Sequence, residues 1–163
     1  MRSAYLRTAL AVAAPAALLL AAAGCGGSGA LRSTTANADK TAQVEQVCRE
    51  VGVALKGLPA PTGKDGAVKA QRASAQIFKT ASGKLTELNR NAGLPASYTT
   101  WLAAFEQLYS YNEQAADAFS RYGADSEVAA QAGQDWEAQA GKADDLARQA
   151  GLDGCEVGQP QAG

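Results

Sequence analysis

Apolar residues recur at three- and four-residue steps in four stretches of this chain, the spacing of a helix that buries one face. The first stretch carries Val44, Val47, Val51 and Leu55, with Cys48 beside Val47. Phe78, Ala81, Leu85, Leu88 and Ala92 mark the second. In the third, Trp101, Phe105, Leu108, Asn112, Ala115, Phe119 and Tyr122 form the strongest stripe, widened by Leu102 and Tyr109. The fourth holds Ala129, Ala132, Trp136, Ala140, Ala143, Ala147 and Ala150, joined by Leu146. No strand-like alternation of period two persists. One-sided stripes must be buried against one another, so the pattern predicts an all-α, antiparallel four-helix bundle.

Glycine punctuates these stretches at Gly57, Gly93, Gly123 and Gly151, where a left-handed residue can close a helix. Pro59 and Pro95 follow two of them and resist helix continuation. Candidate N-caps are Asn37, Asp39 or Thr41 for the first helix, Asp65 for the second, Ser97 for the third, and Asp125 or Ser126 for the fourth.

Ahead of the bundle, Arg2 and Arg7 precede an apolar run over residues 9–23, broken once by Pro15. The run is short for a bilayer span and has the layout of a cleaved export signal. Ala22-Ala23-Gly24-Cys25 resembles the bacterial lipoprotein processing box, with Ala22 where that family more often has leucine. The resemblance implies acylation of Cys25, which becomes the first residue of the mature chain. The alternative is an ordinary signal peptide cut near Ala23, leaving Cys25 as a free thiol. Several acyl chains anchor stably where one alone binds reversibly. Gly26, Gly27, Ser28 and Gly29 read as a flexible tether. The expected division is a signal peptide over residues 1–24, anchor and tether over 25–36, bundle over 37–158 and a disordered tail over 159–163.

The chain has three cysteines. In an exported protein, lipid on Cys25 leaves Cys48 and Cys155 to pair; buried free thiols are the alternative. Cys48 lies about 13 Å before the end of its helix, whereas in a simple bundle the fourth helix ends at the opposite face. A bridge therefore requires the first helix to sit low. Residues 58–64, stiffened by Pro59 and Pro61, must then climb about 25 Å in extended form. The cysteine-bearing first helix, Leu58-Pro59-Ala60-Pro61 and Gly151-Leu152-Asp153-Gly154-Cys155 together look like the small helical envelope lipoproteins of actinobacteria. That likeness implies fold, bridge and location, and supplies no catalytic or binding residue.

The 15 Lys/Arg against 16 Asp/Glu argue against a nucleic-acid partner, more so once Arg2 and Arg7 are removed. The absence of histidine excludes Ser-His-Asp and Cys-His nucleophiles and imidazole metal sites. No Cys-x-x-Cys pair and no phosphate-cradling glycine loop is present. No metal or other cofactor is therefore expected. Glu106, Glu113, Asp117, Asp135, Glu137, Asp144 and Asp145 read as a solvated acidic face rather than a calcium site. Six cations against two acids over residues 64–90 read as surface pairing with those acids, or as a face toward anionic lipid.

Candidate contact residues are Trp101, Phe105, Tyr111 and Asn112. Trp101 and Phe105 read as core facing the alanine-rich fourth helix, or as the lining of an apolar pocket. Tyr111 falls off the main stripe and is the better contact residue. Asn112 is expected at the stripe's edge, because a buried amide costs stability unless satisfied. The functional expectation is a non-enzymatic lipoprotein on the extracytoplasmic face, held by membrane lipid and meeting an envelope protein or polymer. A carrier of lipid or a small apolar ligand is the alternative.

Overall fold

A computed structural model describes residues 28–157. Four helices, α1 (Ser28–Lys56), α2 (Gly63–Ala92), α3 (Ala96–Tyr122) and α4 (Glu127–Ala150), precede a 3-10 turn, Asp153–Cys155. They pack as an all-α four-helix bundle, with no strand among the described residues. The export signal, Cys25 and the 159–163 tail lie outside the described residues.

Helix α1 begins earlier than the sequence reading placed it. Residues 28–36, taken as tether, are helical, and Asn37, Asp39 and Thr41 lie inside the helix rather than capping it. Ala30, Leu31, Arg32 and Ala36 are good or fair helix formers, and the flexible composition ends at Gly29. Elsewhere the caps shift by a few residues. Thr62 precedes α2 and Pro95 precedes α3, neither with a side-chain cap bond, so Asp65 and Ser97 sit within the first turns. Ser126 caps α4 as expected: its hydroxyl accepts from Ala129 N at 3.1 Å, a bond worth about 1 kcal/mol. Gly93 and Gly151 close α2 and α4 at φ 60° and 71°, where a side chain would be strained.

Helices α2, α3 and α4 form a tight antiparallel series. Phe78 meets Phe105, Arg72 lies 4.0 Å from Asp117, and Gln139 of α4 donates to Ala104 O of α3 at 2.8 Å. Helix α1 joins this body with a large offset. In a tight hairpin Glu50 would face α2 near residue 69, but it pairs with Lys84, about 15 residues or 22 Å further along. Thr41 reaches the start of α3, its hydroxyl 2.7 Å from the Tyr98 hydroxyl. Helix α1 therefore covers the end of the bundle that holds the α2–α3 turn, here called the base, and its earlier turns continue away from it. Its backbone approaches only α2 and the 3-10 turn among the described residues.

The offset is what the bridge requires. Low placement of α1 brings Cys48 within a Cα–Cα distance of 4.9 Å of Cys155, and the two are joined as a disulfide. Residues 57–62 cross the gap without regular structure, ending in extended geometry at Thr62. They run close enough over α2 that a Cβ on Gly66 would lie 3.4 Å from the Pro61 carbonyl carbon.

The core is Val44, Val47 and Val51 of α1 against Phe78, Leu85, Trp101, Phe105 and Leu108, closed by small residues of α4 and by Leu152. The α3 stripe does not hold to its end. Phe119 is half-buried and Tyr122 is 59% exposed, because α1 stops short of the opposite end, or top.

Candidate functional site

Trp101 and Phe105 are brought together inside the core. They are 1% and 0% exposed, their ring centroids lie 5.3 Å apart, and Phe78 meets Phe105 edge-on at 5.4 Å. Edge-on and tilted pairs of this kind add to burial rather than frame a space. The Trp101 indole N–H has no hydrogen-bond partner, nor do Ser82 Oγ and the Trp136 N–H, so both indoles serve by bulk. Neither Trp101 nor Phe105 lines any of the grooves on the surface described below.

Asn112 corrects the sequence reading. It is 2% exposed rather than at the stripe's edge, and its Nδ2 donates to Leu108 O at 2.8 Å. The carbonyl one turn back satisfies an amide donor that would otherwise be costly to bury. Asp144 also departs from the solvated acidic face. It is 4% exposed, and its carboxylate accepts from Val157 N at 2.6 Å. That bond fastens the chain after α4 to the base, beside the bridge. Arg148 reinforces it by donating to Glu156 at 2.7 Å and pairing with Asp145. The Glu156 carboxylate holds the Arg148 guanidinium pKa above its ordinary value. Periodicity could not reveal either role, because both partners lie in a segment without a repeat.

Three of the six cations of α2 are engaged by neighbouring helices. Lys84 pairs with Glu50 of α1 at 2.8 Å, Arg72 with Asp117, and Lys79 sits 5.3 Å over the Tyr109 ring. Thr86 donates to Glu106 at 2.9 Å. The bond from Lys84, then that from Gln46, pull the Glu50 carboxyl below its ordinary pKa. A depressed carboxylate adds stability above its unfolded-state pKa and loses it as pH falls through the folded one. Thermal melts of the protein and Glu50→Gln should therefore differ at neutral pH, with the substituted protein lower. The difference should close in acid below the usual carboxylate range.

Besides a groove of ≈ 550 Å³ between α1 and α2, lined mostly by polar residues with Gln46, Arg49, Lys84 and Glu87 among them, three surface grooves flank the helices. A groove of ≈ 290 Å³ between α1 and α2 is lined mainly by Val47, Val51, Ala54, Ile77 and Ala81, with the Glu50–Lys84 pair at its edge. A second, of ≈ 460 Å³, lies between the proline-containing connection and the first turns of α2. The third, of ≈ 480 Å³, is at the top between α3 and α4, where Tyr111, Ala118, Val128 and Ala132 form an apolar lining beside Glu127 and Asp135. Tyr111, the residue off the stripe, thus reaches a surface groove, while Trp101, Phe105 and Asn112 do not. Among the described residues no cluster of three or more Asp, Glu, Cys or His could hold a metal ion. No described helix is long and apolar enough to cross a membrane. No protein-family model, no curated protein and no solved structure matches the chain.

Proposed function

We propose that the protein is an exported, non-enzymatic lipoprotein, acylated at Cys25, whose helical head is held at the extracytoplasmic face of the membrane as an interaction module. The observation that carries this reading is the buried bridge. Cys48 and Cys155 are 5% and 1% exposed and joined across the base, and such bridges persist in oxidising compartments outside the cytosol. The direction of α1 agrees with it. Its N-terminal turns leave the bundle at the base, the end opposite the top groove.

Anchoring needs more than one acyl chain, each buried methylene contributing about 0.8 kcal/mol. The partner reached by the head is an envelope protein or polymer. A closed interior built around Trp101 and Phe105 favours this module over a carrier that opens its core to a ligand.

The test is Cys25→Ser followed by fractionation. The reading predicts that the protein leaves the membrane pool for the soluble extracytoplasmic fraction and loses the mass of its acyl chains. An unchanged membrane pool with unchanged mass and processing would contradict it.

A further inference from the structure

The top groove between α3 and α4 combines three properties. Its lining sets Tyr111, Ala118, Val128 and Ala132 beside the amides Gln114 and Gln131. Its charged residues are Glu127 and Asp135 alone, with no lysine or arginine among the lining residues. Its rim carries large hydrophobic side chains that the fold leaves uncovered, Val128 at 48% and Tyr122 at 59% exposure. Tyr122 follows Ala118 by one turn on the same flank of α3, so it extends the groove wall toward the top.

Part of this has a local explanation. Glu127 in the first turn of α4 complements the positive end of the helix dipole, and Asp135 accepts from Gln131 Nε2 at 2.8 Å. Neither accounts for the exposure of Val128 on α4 or of Tyr122 at the end of α3. Uncovered apolar surface rimmed by charge of one sign marks a contact surface.

The geometry also limits the occupant. Glu127 and Asp135 stand about 12 Å apart along α4 at the helical rise. A helix laid along the groove matches that span with two cations seven or eight positions apart and apolar residues between them. This is the helix-in-groove mode, in which the apolar face gives affinity and the charges fix register.

We propose that the top groove docks a cationic amphipathic helix belonging to a partner envelope protein. Tyr111 and Val128 would receive its apolar face, and Glu127 and Asp135 its lysines or arginines. This assigns partner chemistry to the interaction module proposed above and rests on that reading for the partner's location. The contact itself needs no lipid on Cys25.

The probe is a synthetic Leu-Lys amphipathic helix, with its Leu-Glu counterpart as control. Each is titrated into the full chain in zwitterionic phosphatidylcholine bicelles while backbone amide resonances are followed. Shifts should concentrate at Tyr111, Val128 and Ala132 with the Leu-Lys peptide and be absent with the control. The double substitution Glu127→Lys/Asp135→Lys changes two exposed residues. It should weaken Leu-Lys binding about tenfold or more and admit the Leu-Glu peptide. Val128→Ser should weaken Leu-Lys binding while α4 stays helical.

Shifts centred on Val47 and Ile77, or binding indifferent to the charge reversal, would overturn the proposal. So would concentration-dependent shifts at Tyr111 and Val128 without peptide, since a second copy of the chain would then be the occupant. These outcomes are separate from the Cys25→Ser fractionation, so failure of the docking site and failure of the anchor are told apart.

Discussion

Replacing both bridge cysteines, Cys48→Ala with Cys155→Ala, should lower the melting temperature by on the order of 10 °C and loosen α1 before the other helices. The bridge closes a sequence separation of 107 residues. On the chain-entropy view such a loop contributes at most about 4–5 kcal/mol. The effect should be uneven along the chain. Helices α2, α3 and α4 hold one another along their length, whereas among the described residues the α1 backbone approaches only α2 and the 3-10 turn. Hydrogen exchange should therefore accelerate over residues 41–56 while protection persists around Phe105 and Ala143. Uniform acceleration across all four helices, or an unchanged melt, would show that the bridge does not hold α1 in place.

The second large effect is expected at Phe105. Its ring is fully buried between Phe78 and Trp101, at the level where α1, α2, α3 and α4 all reach the core. Phe105→Ala removes the ring from both aromatic contacts and should cost about 3–5 kcal/mol. Domains of this kind have about 5–15 kcal/mol in total, so a large share of stability goes with it. Denaturant titration measures the loss. Tyr122→Ser, at a side chain 59% exposed, should change stability by about 0.5 kcal/mol or less. Equal effects at the two positions would contradict this core.

The contrast between these residues shows what the sequence disclosed. Trp101, Phe105, Leu108 and Asn112 lie on one helical stripe, and burial follows the stripe through Ala115. At Tyr122 the same spacing fails, since periodicity gives a face but does not say whether a neighbour reaches it. The low seating of α1 was legible from an unusual source, the two cysteines, because only an offset helix lets Cys48 meet Cys155. The start of α1 was not, since residues 28–36 mix helix formers with the serine and threonine typical of a tether.

Buried polar residues were the least legible. Asn112 donates to Leu108 O, Gln139 donates to Ala104 O, and Asp144 accepts from Val157 N. Only the Asn112 partner lies one turn away; the others depend on helix pairing and on the path of the chain after α4. Of the candidate contact residues, Tyr111 alone reaches a surface groove, and falling off the stripe was its signal.

Whether an acyl anchor holds the helical head is read by mass spectrometry of the N-terminal peptide from membrane-purified protein. The account predicts a mature chain that begins at Cys25 and carries the added mass of a lipid. A mature chain beginning elsewhere, with an unmodified Cys25 thiol, would contradict it.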